Sequence, residues 1–146
     1  MTKLDEFLPT RGALLPYYRD TDGIRYLVQI PSDPKYGGTQ WQLGKGKIDP
    51  GETAVQAAVR EGFEELGIKY TNFKEEPKLF GIFKKVAVYI VEVIDCTDLV
   101  TPGFETLKVS WLTNDEFQQV GRDIHRYIID SVEKSLTVDN KSETSV

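Results

Sequence analysis

Short runs of β-branched and aromatic residues recur along the chain, and each is typical of a β-strand. The first two runs are separated by a segment ending in Asp22 and Gly23, a pair that favours a hairpin turn, so they are predicted to be neighbouring strands. The segment 31–40 holds two prolines and two glycines, which predicts a surface loop leading to Trp41. The five predicted strands are 12–18, 24–30, 79–83, 86–94 and 107–112.

Elsewhere the apolar residues recur three and four positions apart, which predicts two helices. The first begins at Thr53, which can form a capping box with Gln56, and ends about fourteen residues later at Gly67. The second covers 115–136 with a break near Gly121, and it is predicted to cover one face of the sheet. The predicted packing face of the first helix consists of Val55, Ala58, Val59, Gly62 and Leu66.

The length of 146 residues fits one domain, and a hydrophobic content of 40% is typical of a folded globular protein. We expect residues 1–136 to form this domain and the polar segment 137–146 to be a flexible tail. The net charge of -5 argues against non-specific binding along nucleic acid. An anionic ligand would therefore need local positive charge.

The cellular compartment is predicted from the cysteine content and from the absence of long apolar runs. Cys96 is the only cysteine, which fits a reducing compartment, excludes a thiol-rich metal site and predicts a small packing residue. The first residues have no apolar signal core, and no stretch approaches the roughly eighteen apolar residues of a membrane helix. We therefore expect a cytoplasmic protein without a membrane partner or a disulfide-linked partner.

The segment 46–68 (GKIDPGETAVQAAVREGFEELGI) carries the strongest chemical signal. Its three glutamates stand at positions i, i+3 and i+4 of the first helix, so their carboxylates share one face and repel each other. Magnesium relieves such repulsion, takes oxygen ligands and is commonly shared with substrate phosphates. Three glutamates alone are better explained as a solvated acidic face, but their spacing from an arginine and a glycine favours a site. The glutamates are Glu61, Glu64 and Glu65.

This spacing resembles the Nudix box, whose pattern is G-x5-E-x7-R-E-U-x-E-E-x-G-U, where U is an aliphatic residue. Gly62 is the single departure from the fixed positions. A close approach of the helix to the sheet would explain a glycine there, and a degenerate box is the alternative. The resemblance implies an α/β (α+β) Nudix fold, in which a mixed β-sheet is sandwiched between α-helices and the box forms a loop, a helix and a loop.

The resemblance also implies a role for each box residue. Arg60 would orient the catalytic carboxylate, although an ordinary surface ion pair is the alternative. The general base would be Glu64 or Glu61, with Glu105 as a competitor that is more simply explained as a surface carboxylate. Glu52 would support the site or favour the helix dipole, and these two explanations have equal weight. The implied ligands of Mg²⁺, with Mn²⁺ as the alternative ion, are Glu61, Glu64, Glu65 and the backbone carbonyl of Lys45, and Gly46 would support them.

Several cationic and aromatic residues are candidates to bind a polyphosphate and a base. Exposed lysines usually only increase solubility, but four lysines near the box or in a predicted turn could offset phosphate charge. Tyr36 lies in a polar loop and could stack on a base. His125, the sole histidine, is expected to have a packing or surface role. The four lysines are Lys45 and Lys47, on either side of Gly46, and Lys84 and Lys85.

The residues before the box bear on the substrate. The run 41–47 (WQLGKGK) looks like the W-x-x-P-K-G segment of dinucleoside polyphosphate hydrolases and RNA 5′-pyrophosphohydrolases, with Gly44 in place of proline. The downstream proline of ADP-ribose hydrolases is missing, because position 83 is Phe83. The resemblance therefore implies a magnesium-dependent pyrophosphohydrolase acting on a (d)NTP, a dinucleoside polyphosphate or a 5′-triphosphate RNA end. The alternatives are a nucleoside diphosphate sugar hydrolase and a non-catalytic Nudix nucleotide sensor, and the protein could be a monomer or a homodimer.

Overall fold

Six strands form one mixed sheet in the computed structural model, which describes residues 8–36, 38–95 and 99–144, and their side chains except those of Tyr36 and 139–144. The order across the sheet is β4-β5-β1-β2-β6, and β3 pairs with β1. Strands β1 and β5 are parallel, whereas the other pairs are antiparallel. The strands are β1 (Arg11–Asp20), β2 (Gly23–Pro31), β3 (Gly44–Lys47), β4 (Lys78–Phe83), β5 (Val86–Glu92) and β6 (Thr106–Thr113).

The five predicted strands and the predicted hairpin are confirmed. Asp20 pairs with Gly23 at the end of the β1–β2 hairpin, and Gly23 has a φ of 129°, a left-handed conformation that glycine adopts without strain. Strand β3 was not predicted, because Gly44–Lys47 contains no β-branched or aromatic residue. It is a strand because the N-terminal half of β1 has a free edge there, and Ala13 of β1 pairs with Lys45.

The first predicted helix is confirmed, including its capping box and its end. Helix α1 spans Ala54–Glu61 and begins with the reciprocal bonds of Thr53 and Gln56. One π-helical turn, Gly62–Leu66, continues it to Gly67, which has a φ of 72°. Glu64 and Glu65 lie in this wider π-helical turn, whereas Glu61 is the last residue of the α-helix.

Helix α1 packs closely on β1, which explains the glycine in the box. A Cβ atom on Gly62 would lie 2.6 Å from Cδ2 of Leu14, and one on Gly12 would lie 2.6 Å from the carbonyl oxygen of Ala54. The predicted close approach of helix and sheet is therefore confirmed. The predicted packing face was partly wrong, because Ala57 is fully buried whereas Val55 and Val59 are only half-buried. Such a short distance between helix and strand leaves room only for small side chains at its centre.

Two helices cover the opposite face of the sheet. Helix α2 (Asn114–Val120) and helix α3 (Asp123–Thr144) are separated at Gly121, where a Cβ atom would lie 2.3 Å from the Phe117 ring. The predicted break is thus confirmed. Alternate side chains of β1 enter two apolar cores, with Ala13 under α2 and α3 and Leu14 under α1. The predicted mixed sheet between helices is therefore confirmed.

Three expectations concern the ends and the loops of the chain. Helix α3 runs to Thr144 and so continues through most of the segment 137–146, where the polar sequence predicts a flexible tail. The domain boundary at residue 136 stays a prediction. Cys96 lies outside the described residues. Within the described ranges, no helix is both long and apolar enough to cross a membrane.

Candidate active site

Arg60 connects helix α1 to the loop that precedes it. Its Nε and Nη2 atoms donate to the two carboxylate oxygens of Glu52 at 2.8 and 3.0 Å. Nη2 also donates to the carbonyl oxygen of Lys47 at 2.9 Å. The hydrogen bond from Arg60, followed by one from the backbone of Asp49, lowers the pKa of Glu52 to about 2. Glu52 is therefore an ionised group that fixes the arginine, which favours the supporting role over a helix-dipole role.

The third nitrogen of Arg60 faces the glutamates of the box. Nη1 donates to Oε1 of Glu61 at 2.7 Å and lies 3.5 Å from Oε2 of Glu64. The side chain of Glu61 is 13% exposed and that of Glu64 is 53% exposed. Burial, followed by the nearby charge of Glu61, raises the pKa of Glu64 above its usual range. Glu64 is thus the more accessible and the less tightly held of these two carboxylates.

Glu65 is hydrogen-bonded to β3 and to β2. Its Oε2 accepts a hydrogen bond from the backbone N–H of Lys45 at 2.7 Å, and its Oε1 accepts one from Nε2 of Gln29 at 3.1 Å. Burial and the neighbouring charge of Glu61 raise the pKa of Glu65 to about 8. Two carboxylates of one helical turn therefore compete for ionisation, as the sequence predicts for like charges without a counterion.

Gly46 allows β3 to approach the Glu61 carboxylate. A Cβ atom at this position would lie 2.2 Å from Oε1 of Glu61, which no alanine could accept without moving that carboxylate. Gly44 is close to the helix in the same way, because its Cβ atom would lie 2.9 Å from Cγ of Leu66. The glycines of the β3 strand are thus explained by contact with the helix that carries the glutamates.

A cleft of about 370 Å³, called here the acidic cleft, brings most of the predicted residues together. Glu105 is exposed and lines the cleft together with Glu61 and Glu65. Arg60 and Glu64 adjoin it through their contacts with Glu61 and with each other. The predicted residues that line it are Lys45, Gly46, Lys47, Glu61, Glu65 and Glu105.

A second cavity of about 360 Å³, called here the cationic pocket, lies beside the acidic cleft. Arg11 and Lys45 line both cavities, so the two are adjacent. Burial, followed by the nearby charges of Arg122 and Arg11, lowers the pKa of Lys45. The cations that line the cationic pocket are Arg11, Lys35, Lys45, Lys84 and Arg122.

The structure separates the remaining candidates. Lys84 lines the cationic pocket, whereas Lys85 lines neither cavity and accepts backbone hydrogen bonds from Thr10 and Arg11 through its carbonyl oxygen. Tyr36 ends a short 3₁₀ turn, Pro34–Tyr36, and its side chain lies outside the described part. His125 is buried and accepts a hydrogen bond from Leu43 N–H at 3.0 Å, so its predicted packing role is confirmed.

The polar residues of the two cavities that the sequence did not predict include Arg11, Gln29, Lys35 and Arg122. Gln29 could have been found, because it is a polar residue within an apolar strand and is only 2% exposed. Its Oε1 atom is buried without a hydrogen-bond partner among the described residues. The cations had no such signal, since single arginines and lysines next to predicted strands or breaks are common on protein surfaces.

Comparison with known proteins identifies the family to which the chain belongs. A family model described as NUDIX domain matches residues 9–132. The chain belongs to the Nudix family. An RNA pyrophosphohydrolase of Brucella anthropi is 46% identical over 50 residues, a match that spans 34% of this chain and only 29% of that relative.

Two solved Nudix structures share the fold at low sequence identity. An Ap4A hydrolase of C. elegans has a TM-score of 0.70 and 22% identity, with coverage of 87% of this chain and 98% of that chain. The Nudix hydrolase RenU of M. smegmatis has a TM-score of 0.71 and 18% identity, with coverage of 87% of this chain and 86% of that chain. The Nudix fold predicted from the box is therefore shown over most of the chain and not by the box alone.

Nudix hydrolases generally use divalent metal ions, and the donor set of this chain fits such an ion. The carboxylates of Glu61, Glu64 and Glu65 are hard oxygen donors, and the raised pKa of Glu65 marks a position where a cation would relieve repulsion. Among the described residues, no three acidic, histidine or cysteine side chains already surround a common point. Glu61 accepts a hydrogen bond from Arg60 and Glu65 accepts one from the Lys45 backbone, so groups next to the site hold both carboxylates in place.

Proposed function

We propose that this Nudix protein is a Mg²⁺-dependent pyrophosphohydrolase that cleaves a phosphoanhydride bond of a nucleoside polyphosphate. The candidate substrates are a (d)NTP, a dinucleoside polyphosphate and a 5′-triphosphate RNA end. The observation that carries the proposal is the complete set of contacts made by Arg60, which joins Glu52 to Glu61 and lies beside Glu64. A protein that only sensed a nucleotide would not need this assembly of arginine and carboxylates.

The ion would be held by Glu61, Glu64, Glu65 and the backbone carbonyl of Lys45, with Mn²⁺ as an alternative to Mg²⁺. When bound, it would neutralise phosphate charge and lower the pKa of a water molecule. The Lys45 backbone suits this role because its N–H group already donates to Glu65 at 2.7 Å, which keeps the Lys45 peptide beside the glutamates.

Glu64 is the general base in this proposal. Water attacks a phosphorus atom, the P–O bond of the anhydride breaks, and a carboxylate oxygen of Glu64 takes the proton of the water. Glu61 is less suited because Arg60 donates to it at 2.7 Å, whereas Glu64 is 3.5 Å from the same nitrogen and is half-exposed. Glu105, which also lines the acidic cleft, is the competitor for this role.

Two further observations support a nucleotide substrate. Lys45 and Lys47 line the same cleft as Glu61 and Glu65, so positive charge is available for phosphates on either side of Gly46. The Brucella anthropi relative is an RNA pyrophosphohydrolase, and one structural neighbour is an Ap4A hydrolase. The single cysteine fits a reducing compartment, so the proposal places the protein in the cytoplasm.

Product analysis tests the proposal. The purified protein is incubated with Mg²⁺ and nucleoside triphosphates, dinucleoside polyphosphates, triphosphorylated RNA or nucleoside diphosphate sugars, and the products are separated. We expect phosphoanhydride cleavage of one polyphosphate class, and we expect Glu64→Gln and Glu65→Gln to lose most of it while Glu75→Gln, an exposed control, retains it. Cleavage confined to nucleotide sugars would contradict the substrate class, and binding without any product would favour a sensor.

A further inference from the structure

The cationic pocket is a positively charged cavity in a protein whose net charge is -5. Among the residues that the structure describes, no carboxylate lines it. Lys35 pairs with Asp33 at 3.6 Å, but among the described residues no carboxylate forms an ion pair with Arg11, Lys84 or Arg122. Arg11, Lys84 and Arg122 therefore bring positive charge to the pocket that no described ion pair offsets, so the pocket favours an anionic ligand.

The backbone holds Arg122 firmly at the margin of this pocket. The backbone N–H group of Arg122 donates to the carbonyl oxygen of Trp41 at 2.9 Å. The N–H group of Trp41 in turn donates to the carbonyl oxygen of Val120 at 3.3 Å. The chain that leads into β3 is therefore bonded to the break between α2 and α3. Lys45 on β3 and Arg122 after the break are thus positioned by one set of backbone hydrogen bonds.

Lys84 occupies a backbone conformation that lysine rarely adopts. Lys84 and Lys85 connect Phe83 to Val86 as a two-residue turn, and their φ angles are 49° and 67°. Such turns favour Asn-Gly, because both central residues need a positive φ. Unfavourable backbone conformations of this kind cluster at binding sites, where a side chain must point in a particular direction. Here the turn places the Lys84 side chain at the pocket.

The remaining wall of the pocket is apolar and suits a base or a ribose. Phe83, Val86, Ile124 and Ile128 contribute to it. The Phe83 ring is fixed by stacking on Phe80 at a centroid distance of 6.2 Å. A cavity of about 360 Å³ is within the range of about 300–1,000 Å³ that holds small ligands. Cations on one side and an apolar wall on the other are the chemistry of a nucleotide site.

We propose that the cationic pocket binds the phosphates and the nucleoside of the substrate that lie beyond the phosphates held at the acidic cleft. Arg11 and Lys45 line both cavities, so a phosphate chain can pass from one to the other beside them. The inference rests on the proposed function and narrows its substrate. A chain of three or more phosphates contacts both cavities, whereas the two phosphates of a nucleoside diphosphate sugar are engaged at the acidic cleft alone.

Metal-free binding tests the pocket separately from catalysis. Inorganic tripolyphosphate is titrated into the protein in EDTA by calorimetry, so the carboxylates of the acidic cleft cannot bind it through a cation. We expect Arg122→Gln and Lys84→Gln each to weaken binding roughly tenfold, the loss of one charge-assisted hydrogen bond, and the double variant to weaken it further. Arg122→Lys and Lys84→Arg keep the charge that attracts the phosphates, so they are expected to bind within a few-fold of the unmodified chain.

Matched controls come from the same residue types elsewhere on the surface. Lys78 lies at the opposite end of β4 and pairs with Glu75, and Arg25 on β2 pairs with Asp20. Lys78→Gln and Arg25→Gln are expected to bind tripolyphosphate as the unmodified chain does. Equal weakening by all four charge-removing variants would indicate non-specific attraction and would overturn the proposal, as would no binding by the unmodified chain.

The apolar wall is tested with Phe83→Leu, which removes the ring but keeps an apolar side chain. ATP in EDTA is expected to bind this variant roughly three- to tenfold more weakly, because stacking on a base is lost, while tripolyphosphate binding is unchanged. A thermal unfolding curve close to that of the unmodified chain shows that the variant is folded. Unchanged ATP binding would contradict the nucleoside part of the proposal.

Hydrolysis then distinguishes the two proposals. In the double variant Arg122→Gln and Lys84→Gln, KM for a dinucleoside tetraphosphate is expected to rise by more than the roughly tenfold loss of either single variant, while KM for a nucleoside diphosphate sugar changes little. If turnover is intact and KM for the tetraphosphate is unchanged, the proposed role of the cationic pocket is overturned, whereas the proposed function is not affected. If the unmodified chain hydrolyses none of these substrates, the proposed function is overturned. The titrations in EDTA would still show whether the cationic pocket binds phosphates.

Discussion

Arg60 shows why the residue type, and not only the charge, matters at this site. Its guanidinium group donates to both oxygens of Glu52, to Glu61 and to the carbonyl oxygen of Lys47. These partners lie in different directions around one planar fork. A lysine has a single nitrogen and cannot donate to the loop and to the helix in this geometry.

We therefore expect Arg60→Lys to lose activity although the charge is kept. The catalytic carboxylates would shift by a fraction of an ångström or more, so kcat is expected to fall on the order of 100-fold. The measurement is steady-state hydrolysis of the substrate identified by product analysis, with circular dichroism to check folding. Arg126→Lys, on helix α3, is the matched control. A kcat within twofold of the unmodified chain would show that Arg60 acts only as a positive charge.

Gly46 has no side chain, and this leaves room for the carboxylate of Glu61. A Cβ atom there would lie 2.2 Å from Oε1 of Glu61, so Gly46→Ala must displace this carboxylate. We expect kcat to fall at least roughly tenfold, since a displaced carboxylate no longer matches the reaction geometry. Gly103→Ala is the control, because its Cβ atom would make an ordinary contact of 3.4 Å with the Glu64 carbonyl oxygen. Full activity of Gly46→Ala would mean that Glu61 tolerates movement and is not a ligand.

At the scale of elements, helix α1 and β1 are held at a distance set by Gly12 and Gly62. The box sequence predicted this contact from one observation, a glycine on an apolar face. The contact is short because Gly62 meets the side chain of Leu14, which is fully buried. Two opposing effects of Gly62→Ala can therefore be weighed, namely helix propensity and packing.

Alanine at position 62 would gain about 1 kcal/mol of helix propensity, but overpacking typically costs about 1–3 kcal/mol. A Cβ atom 2.6 Å from Cδ2 of Leu14 must displace that side chain, so we expect a net loss of about 1 kcal/mol in the free energy of unfolding. Urea unfolding measures it. In the Leu14→Val background, which lacks Cδ2, the same substitution is expected to be neutral or stabilising. The absence of this coupling would show that packing against Leu14 does not require glycine.

The same elements show what the sequence could and could not predict. Helix α1, its cap at Thr53 and its end at Gly67 carry local signals, so they were predicted within a residue or two. Strand β3 has no such signal, because Gly44 to Lys47 are extended only through pairing with β1. The box residues were found because their spacing along one helix is itself the signal. Gln29 and Arg122 reach the cavities through tertiary contacts, which no local pattern records.

At the scale of the whole molecule, the two cavities lie together because β1 contributes to both. Arg11 at its beginning lines the acidic cleft and the cationic pocket, while Ala13 lines the pocket. Helix α3, on the face of the sheet that α1 does not cover, forms one side of the cationic pocket. His125 on this helix accepts a hydrogen bond from the N–H group of Leu43, just before β3. His125 thus joins the two layers at a point between positive charges, where the charged form of the imidazole is disfavoured.

This buried histidine makes the stability of the whole fold depend on pH. Burial, followed by the charges of Lys45 and Arg122, lowers the pKa of His125 to about 3. In the unfolded chain its pKa is about 6.5, so between pH 6.5 and pH 3 the unfolded state binds more protons than the folded state. Stability is therefore lost as the pH falls through this window. Glu52, whose pKa is lowered to about 2, adds a further loss that begins only below its ordinary value near 4.5.

Between pH 7 and pH 5, protonation of His125 in the unfolded chain is expected to remove about 2 kcal/mol of the free energy of unfolding. Glu65, whose pKa is raised to about 8, acts in the opposite direction over this range, so total stability alone would not isolate the histidine. The comparison with His125→Gln does, because glutamine can still accept the hydrogen bond from Leu43 but does not titrate. Urea unfolding of both chains at the two pH values should give a pH-dependent difference of about 2 kcal/mol. Parallel pH dependence would mean that the folded and unfolded states protonate His125 alike, and hence that burial and the charges of Lys45 and Arg122 do not disfavour its charged form.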